Sequence, residues 1–312
     1  MISILPKYFR MIDLHCHSTA SDGTCSPREL VSMAVKLGLK ALALTDHDTM
    51  DGLPEFQAAS REFPQICCVP GVELAARSRE NKNLGYHIVG LFLGEPSREM
   101  NEFTEGCRNA RVKRNYAILE KLGEMGYHLD MADLEREANG GVVGRPHIAR
   151  ALVRLGAAES VQGAFNRFLG TAKSAYVARE VPSPEEAISA IHSCGGVAVW
   201  AHPFTKGNPT VRKLRQMAVD LKAIGLDGME CYYALHTPKQ VQNALEICRS
   251  VGLFPSGGSD FHGENIHGVK LGVGTGHLQV PDRLLEPLRL CAAHRAAVHQ
   301  EPPSNAIPQS AC

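Results

Sequence analysis

The sequence predicts an α/β protein built as a (β/α) barrel with a metal site at one rim. Three observations carry this. Short apolar runs alternate with helix-like segments, the connections are brief, and nearly every run leads into His, Asp or Glu. Strand–helix–strand repetition with short links implies parallel strands joined by helical crossovers. Ligand-type residues at strand ends favour a barrel, whose sites collect on the face where the strands finish. An open doubly wound sheet would use one crevice instead of drawing on nearly every strand.

The first run is Ile12-Asp13-Leu14-His15-Cys16-His17. Read as a strand, it sends Ile12, Leu14 and Cys16 to one face and Asp13, His15 and His17 to the other. Two imidazoles two residues apart on one face can grip a divalent ion, although one His-x-His is equally a solvated pair. Residues 41–45 run into Asp46-His47-Asp48, and 66–69 lead through Pro70-Gly71-Val72 to Glu73. Residues 86–91 hold His87 within a strand, 196–200 open onto Ala201-His202-Pro203, and 253–256 end in Gly257-Gly258-Ser259-Asp260-Phe261-His262. Between them lie helices. Segment 27–37 starts after Ser26 with Pro27 in its first position, 184–194 follows Ser183 likewise, and 211–224 and 239–251 stop at Gly225 and Gly252.

The ligand-type residues are nine: His15, His17, Asp22, His47, Glu73, His87, His202, Asp260 and His262. One catalytic ion takes three or four protein ligands, so nine suit two or three ions with Glu73 as the bridge. Three divalent ions outweigh the charges of Asp22, Glu73 and Asp260, so the site stays cationic and draws an anion such as phosphate. Metal-bound hydroxide as nucleophile then points to phosphate ester hydrolysis.

His15-x-His17, Asp22-Gly23, Thr45-Asp46-His47, Gly71-x-Glu73, His87, Ala201-His202-Pro203 and Gly258-Ser259-Asp260-x-His262 resemble the polymerase and histidinol phosphatase (PHP) superfamily over residues 11–290. The resemblance implies a distorted (β/α)7 barrel with a trinuclear site. His15, His17, Glu73 and Asp260 would hold one ion, Glu73, His87 and His202 a second, and Asp22, His47 and His262 a third. Some members carry His at the position of Asp22. The added negative charge points to Mn²⁺ first, with Zn²⁺, Fe²⁺ or Mg²⁺ as alternatives.

Within the superfamily the chain looks most like the stand-alone bacterial group that hydrolyses nucleoside 3′,5′-bisphosphates and short 5′-phosphorylated RNA. That likeness implies a helical insertion at 104–174 between barrel halves 11–103 and 175–295. The insertion carries eleven Lys and Arg against eight Asp and Glu. Ile118, Leu122 and Met125 read as a buried stripe. Gly144-Arg145-Pro146-His147 resembles the group's insertion motif, and a helix start beside an Arg is a phosphate site. Arg145, His147 and Lys173 are the substrate-binding candidates, while Arg111 and Arg114 read as a solvated helix face. Glu73 and His236 are the candidates for catalysis. His236 could donate to the leaving oxygen or merely cap a helix.

A chain of 312 residues, 44% hydrophobic, can bury one barrel core and a small cap. Zero net charge argues against nucleic-acid binding by bulk charge. Its ten cysteines form no Cys-x-x-Cys pair, and most read as small core residues. Without a signal peptide or an apolar run near 18 residues, the expected place is the cytoplasm, with no membrane and no obligate protein partner. Residues 1–10 and 299–312 are expected to be loose ends. The expected substrate is a small phosphorylated nucleotide whose 3′-phosphate is removed. A 5′-3′ exoribonuclease on short single-stranded RNA, a histidinol phosphatase and a non-catalytic metal-stabilised module are the alternatives.

Overall fold

The computed structural model describes residues 11–81, 84–138, 140–205 and 209–300. Seven strands form one sheet in sequence order: β1 (Ile12–Asp13), β2 (Ala41–Leu44), β3 (Cys67–Arg77), β4 (Gly85–Leu91), β5 (Val197–Trp200), β6 (Gly228–Tyr233) and β7 (Phe254–Gly258). The sheet curls into a barrel. Beyond β1 the chain stays extended and pairs with the end of β7, Leu14 N–H donating to Gly257 O (3.1 Å), Asp260 N–H to His15 O (2.8 Å) and His17 N–H to Phe261 O (2.9 Å). The approach is close enough that a Cβ on Gly258 would lie 2.3 Å from that of His15. Only glycine fits there.

The expected all-parallel order is corrected at β4, which runs antiparallel to both β3 and β5. Only β1–β2–β3 and β5–β6–β7 are parallel. Pro70-Gly71 does not end a strand at residue 69 either. β3 pairs with β2 as far as Pro70 and with β4 from Gly71 onward, so the dipeptide marks a change of partner. Glu73 therefore sits inside β3, and the reversal of β4 brings His87, near its start, to the same rim.

Helices α1 (Pro27–Lys36) and α2 (Leu53–Glu62) cover the first strands. Then come α3 (Arg98–Glu124), α4 (Met131–Ala138), α5 (Arg145–Arg154), α6 (Val161–Ala164), α7 (Pro184–Ser193), α8 (Val211–Ala223), α9 (Pro238–Val251) and α10 (Leu285–Gln300). Ser26 and Ser183 cap helices that begin with Pro27 and Pro184, as expected, and both close capping boxes; Thr237 does the same ahead of Pro238, one residue before the expected start at 239. Residues 1–10 and 301–312 of the expected loose ends lie outside the described residues, whereas 299 and 300 belong to α10.

Strand alternation divides the core. Ala41, Ala43, Val89, Leu91, Val197 and Val199 form one buried cluster, closed below by Leu284, Leu288 and Ala292 of the C-terminal segment. Leu42, Leu44, Ile88, Ala198 and Trp200 face the surrounding helices. Burying each Leu or Ile contributes about 1.5–3 kcal/mol. A separate cluster, including Ile118, Leu122, Leu134, Ile148 and Phe168, is the insertion's own core. Met125 is 37% exposed and does not join it. The 27-residue α3 serves both cores: Met100, Phe103 and Cys107 pack with the barrel, and Ile118, Leu119 and Leu122 with the insertion. Thus the two units share one helix, with no linker at 103.

Candidate metal centre

All nine ligand-type residues converge at the rim of the barrel. In the first group, His15 Nε2 lies 3.4 Å from both Glu73 Oε2 and Asp260 Oδ1, and His17 Nε2 lies 3.3 and 3.2 Å from the same two oxygens. Around Glu73, His47 Nδ1 approaches Oε2 at 2.9 Å, while His87 Nδ1 and His202 Nε2 approach Oε1 at 2.8 and 3.0 Å. In the third group His262 Nε2 stands 3.4 Å from Asp22 Oδ1, with His47 Nε2 3.9 Å from Oδ2 and His17 Nδ1 4.0 Å from Oδ1. His17 thus joins this group as well, through its second nitrogen.

The donor set fits divalent ions. His15 Nε2, both nitrogens of His17, His47 Nδ1 and Glu73 Oε2 are buried without a hydrogen bond, although they face one another closely. Leaving such atoms unpaired in a dry interior costs about 1–3 kcal/mol each. Two ligands about 2.1 Å from a tetrahedral ion stand about 3.4 Å apart, which is the spacing of the first group. Burial opposes charge here, yet opposite charges overcome it. His47, His87 and His15 hold Glu73 well below its ordinary pKa, and Asp22 and Asp260 push His262 up to about 10. Protons on imidazoles therefore balance the carboxylates, and an incoming ion must displace them.

Residues behind the cluster fix its geometry. Glu230 faces His15 Nδ1 through Oε1 (3.1 Å) and accepts the His202 backbone N–H through Oε2 (2.7 Å). Asp13 accepts from Ser259 and the Gly272 N–H, Asp46 from Ser18 and Ser21, and the Tyr233 hydroxyl donates to Asp260 Oδ2 (3.1 Å). Sequence reasoning did not find these roles. The available signal was the parity of Asp13 with His15 and His17, and the position of Glu230 within a strand. His202, Asp260 and Asp48 adopt positive φ (31°, 55° and 53°), a strained backbone concentrated at the site.

Three cavities reach the cluster, one of about 230 Å³ at His87 and His202 and two that meet it at Asp22. The smaller of these two, about 270 Å³, meets Asp22, His47 and His87 and is lined by Arg77, Arg111, Arg114, Arg145 and Arg179. Arg111 Nε (3.1 Å) and Arg179 Nη1 (2.7 Å) both bond Asp48 Oδ2. Arg145 donates to Leu169 O, its guanidinium 5.8 Å from the centroids of both Phe165 and Tyr176. Arg114 is 8% exposed, has no carboxylate among its bonding partners, and leaves Nε without one altogether. Burial, then Arg111, Arg179 and Arg145, pushes it down to about 8. The solvated face expected for Arg111 and Arg114 is thereby corrected: α3 lies against the rim, and these side chains form the cavity wall.

Lys173 is exposed and lines the larger cavity, about 540 Å³, which meets the cluster at Asp22 and His262. His147 is buried and accepts the Gly144 N–H at Nδ1 (2.8 Å), the local task of a helix start, and burial pushes it down to about 4. His236 lies behind Tyr233 and Phe204, with Nδ1 3.0 Å from Cys231 O and Nε2 buried and unpartnered. Nδ1 is the donor to that carbonyl, so a neutral His236 keeps no proton on Nε2. Cys16 turns away from the histidines, its thiol donating to Ala43 O. No helix among the described residues is long and apolar enough to cross a membrane.

A barrel with this donor cluster at its rim defines a metal-dependent phosphoesterase, a phosphoric ester hydrolase. The chain belongs to the PHP domain family, which matches residues 13–170. It is 40% identical to a 5′-3′ exoribonuclease of Haemophilus influenzae over 80% of this chain and 89% of that one. It is 32% identical to a 3′,5′-nucleoside bisphosphate phosphatase of Chromobacterium violaceum, over 84% and 90%. A solved structure from Bifidobacterium adolescentis, described as a metal-dependent phosphoesterase, superposes with a TM-score of 0.80 at 29% identity, over 92% and 97%.

Proposed function

We propose that the chain removes the 3′-phosphate of nucleoside 3′,5′-bisphosphates, with the arginine cavity holding the 5′-phosphate. Two to three divalent ions, Mn²⁺ first, would be held by His15, His17, Asp22, His47, Glu73, His87, His202, Asp260 and His262. When bound, they supply a nucleophile from water near neutral pH and stabilise the charge on the phosphoryl oxygens. Glu73 joins the groups through its two oxygens, Glu230 orients His15, and Tyr233 steadies Asp260. His236 is left out, because its Nδ1 proton is committed to Cys231 O.

The observation that carries this reading is the buried Arg114 among four further arginines, in a cavity that opens onto the cluster. Asp22 and Asp48 cannot neutralise five guanidinium groups, and a terminal phosphate supplies further negative charge. The name of the Chromobacterium violaceum relative agrees with it. Histidinol phosphate fits poorly, since it offers one phosphate and a cationic remainder that the arginines would repel. A purely structural metal module is disfavoured by the cavity itself. The test is Arg145→Ala. Losing a charge-assisted phosphate contact of about 1.5–3 kcal/mol should lower kcat/KM on a 3′,5′-bisphosphate roughly tenfold to more than a hundredfold, with little change on a 3′-monophosphate. Equal losses on both would defeat the proposal.

A second reading, 5′-3′ exonuclease action on short 5′-phosphorylated RNA at the same cluster, is favoured by the larger cavity beside Asp22 and His262. The Haemophilus influenzae relative bears that name.

A further inference from the structure

We propose that Asp48 is a positioning residue that holds the arginine cavity in register with Glu73, so that the 5′-phosphate contributes to turnover and not only to binding. This rests on the function proposed above, in which that cavity takes the 5′-phosphate and the cluster takes the 3′-phosphate. Asp48 is buried, belongs to none of the three ligand groups and does not line the cavity. Its hydrogen bonds nevertheless reach both places.

On one side Asp48 holds β3 around Glu73. β2 ends at Leu44, and its pairing with β3 ends at Pro70. Beyond that point residues 46–48 take over the edge of β3 that β2 has left. The Glu73 N–H donates to Asp46 O (3.1 Å), the Asp48 N–H to Glu73 O (2.9 Å) and the Ala75 N–H to Asp48 Oδ1 (2.9 Å). In the last of these a side-chain carboxylate does the work of a ladder carbonyl, and an ionised acceptor makes the bond roughly twice as strong as a neutral one. Its neighbour His47 reaches Glu73 Oε2 from Nδ1 (2.9 Å), so the same short loop also carries a ligand.

On the other side Asp48 holds the arginines. Arg111 of α3 donates to Oδ2 from Nε (3.1 Å) and Nη2 (2.5 Å), and Arg179, in the stretch leading from the insertion to α7, donates to it from Nη1 (2.7 Å). One carboxylate therefore joins the loop after β2, the shared helix α3 and the return from the insertion. It does so from the left-handed backbone region, at φ 53°, which Asp tolerates better than most residues and which glycine adopts freely. Strain of this kind persists where the surrounding bonds over-determine it, and here the side chain accepts four.

The consequence is kinetic. Binding energy from a remote phosphate raises kcat only when it fixes the reacting group against the machinery that transforms it. A misplacement of about 1 Å there can cost about a hundredfold. With Asp48 in place, a 5′-phosphate held by Arg111 and Arg179 sets the rest of the substrate at a fixed place relative to Glu73. Asn at this position keeps an oxygen for the Ala75 N–H but turns an NH2 donor toward the guanidinium donors. The arginines would still attract the 5′-phosphate by charge, with their register to β3 lost.

The test measures kcat and KM of the Mn²⁺-loaded wild type and Asp48→Asn on a nucleoside 3′,5′-bisphosphate and on the 3′-monophosphate. Calorimetry on the metal-free proteins gives the affinity for inorganic phosphate. In the wild type the 5′-phosphate should raise kcat itself at least about tenfold. Asp48→Asn should lower the ratio of the two kcat values about tenfold to a hundredfold. Its phosphate affinity should stay within about threefold of the wild type or rise, because the cations remain and one negative charge is gone. A merely structural defect would lower both kcat values and leave their ratio. An unchanged ratio, or a phosphate affinity that falls in proportion to it, overturns the proposal. A wild-type gain confined to KM overturns it without any variant. A wild type with equal kcat/KM on the two substrates overturns the proposed function itself.

Discussion

Replacing Arg114 by Met should weaken phosphate recognition without weakening the fold. Arg114 is 8% exposed, and burial together with Arg111, Arg179 and Arg145 pushes it down to about 8. It remains charged at neutral pH, so the ligand-free protein carries a buried cation with no carboxylate partner. Exchanging a buried charge for an apolar side chain of similar length commonly stabilises by about 1–4 kcal/mol. Against this, Arg114 Nη2 donates to Asn115 Oδ1 (2.9 Å), and Asn115 is fully buried, so losing that donor costs about 1 kcal/mol or more. The net is about 0–3 kcal/mol in favour of the variant, or up to roughly 6 °C in Tm at about 2 °C per kcal/mol. Inorganic phosphate tells the roles apart. At a hundred times its Kd it should stabilise the wild type by about 2.7 kcal/mol, and the variant should show much less of that shift. Thermal unfolding with and without phosphate, with kcat/KM on a 3′,5′-bisphosphate, completes the assay. A variant that melts well below the wild type yet keeps its phosphate response and activity would refute the reasoning.

Replacing His17 or His262 by Ala should reduce turnover by orders of magnitude and lower bound metal, with the circular dichroism unchanged; near-normal turnover in both would contradict the assigned ligands. Glu230→Gln, which weakens the hold on His15, should reduce metal affinity about tenfold to a hundredfold, read by calorimetry. Burial pushes His262 down but Asp22 and Asp260 outweigh it and raise it to about 10, so metal uptake must release protons and tighten as pH rises; affinity flat between pH 6 and 9 would contradict this. For Asp48, burial raises the pKa, but Arg111 and Arg179 prevail and hold it below the carboxylate range. Its contribution to stability is therefore present above about pH 4 and lost as pH falls through the lower folded value, and Asp48→Asn should cost about 3–5 kcal/mol at neutral pH by chemical denaturation.

Most of the nine converging residues were legible because they sit beside an apolar run, and that position survives whatever the neighbouring strands do; Asp22, in a turn beyond His17, was legible only through the Asp22-Gly23 motif. The direction of β4 was not legible. A strand that reverses has the same alternation as one that does not, and only pairing shows that Ala75 lies opposite His87. Pro70-Gly71 closes the apolar run at 66–69 for a local reason, the fixed φ and missing Cβ, while tertiary pairing uses it to pass β3 from one partner to the next. Arg111 and Arg114 looked solvated because charge on a helix usually faces water. That α3 lies along the rim depends on how the insertion folds back, which no window of sequence reports. The same packing sends Arg145 and Lys173, both expected to bind substrate, into different cavities. His147 and His236 show the complementary limit, since a histidine near a site has the same sequence signature whether it meets a ligand or a backbone group.

The central claim is that one phosphate reacts at the metal cluster while the arginine cavity holds another. Its most direct measurement is kcat/KM of the wild-type, metal-loaded enzyme on a nucleoside 3′,5′-bisphosphate against the same nucleoside 3′-monophosphate, with the products identified. The account predicts inorganic phosphate and the nucleoside 5′-monophosphate from the bisphosphate, at a specificity constant at least tenfold to a hundredfold above that of the 3′-monophosphate. Equal constants, or release of the 5′-phosphate, would contradict it.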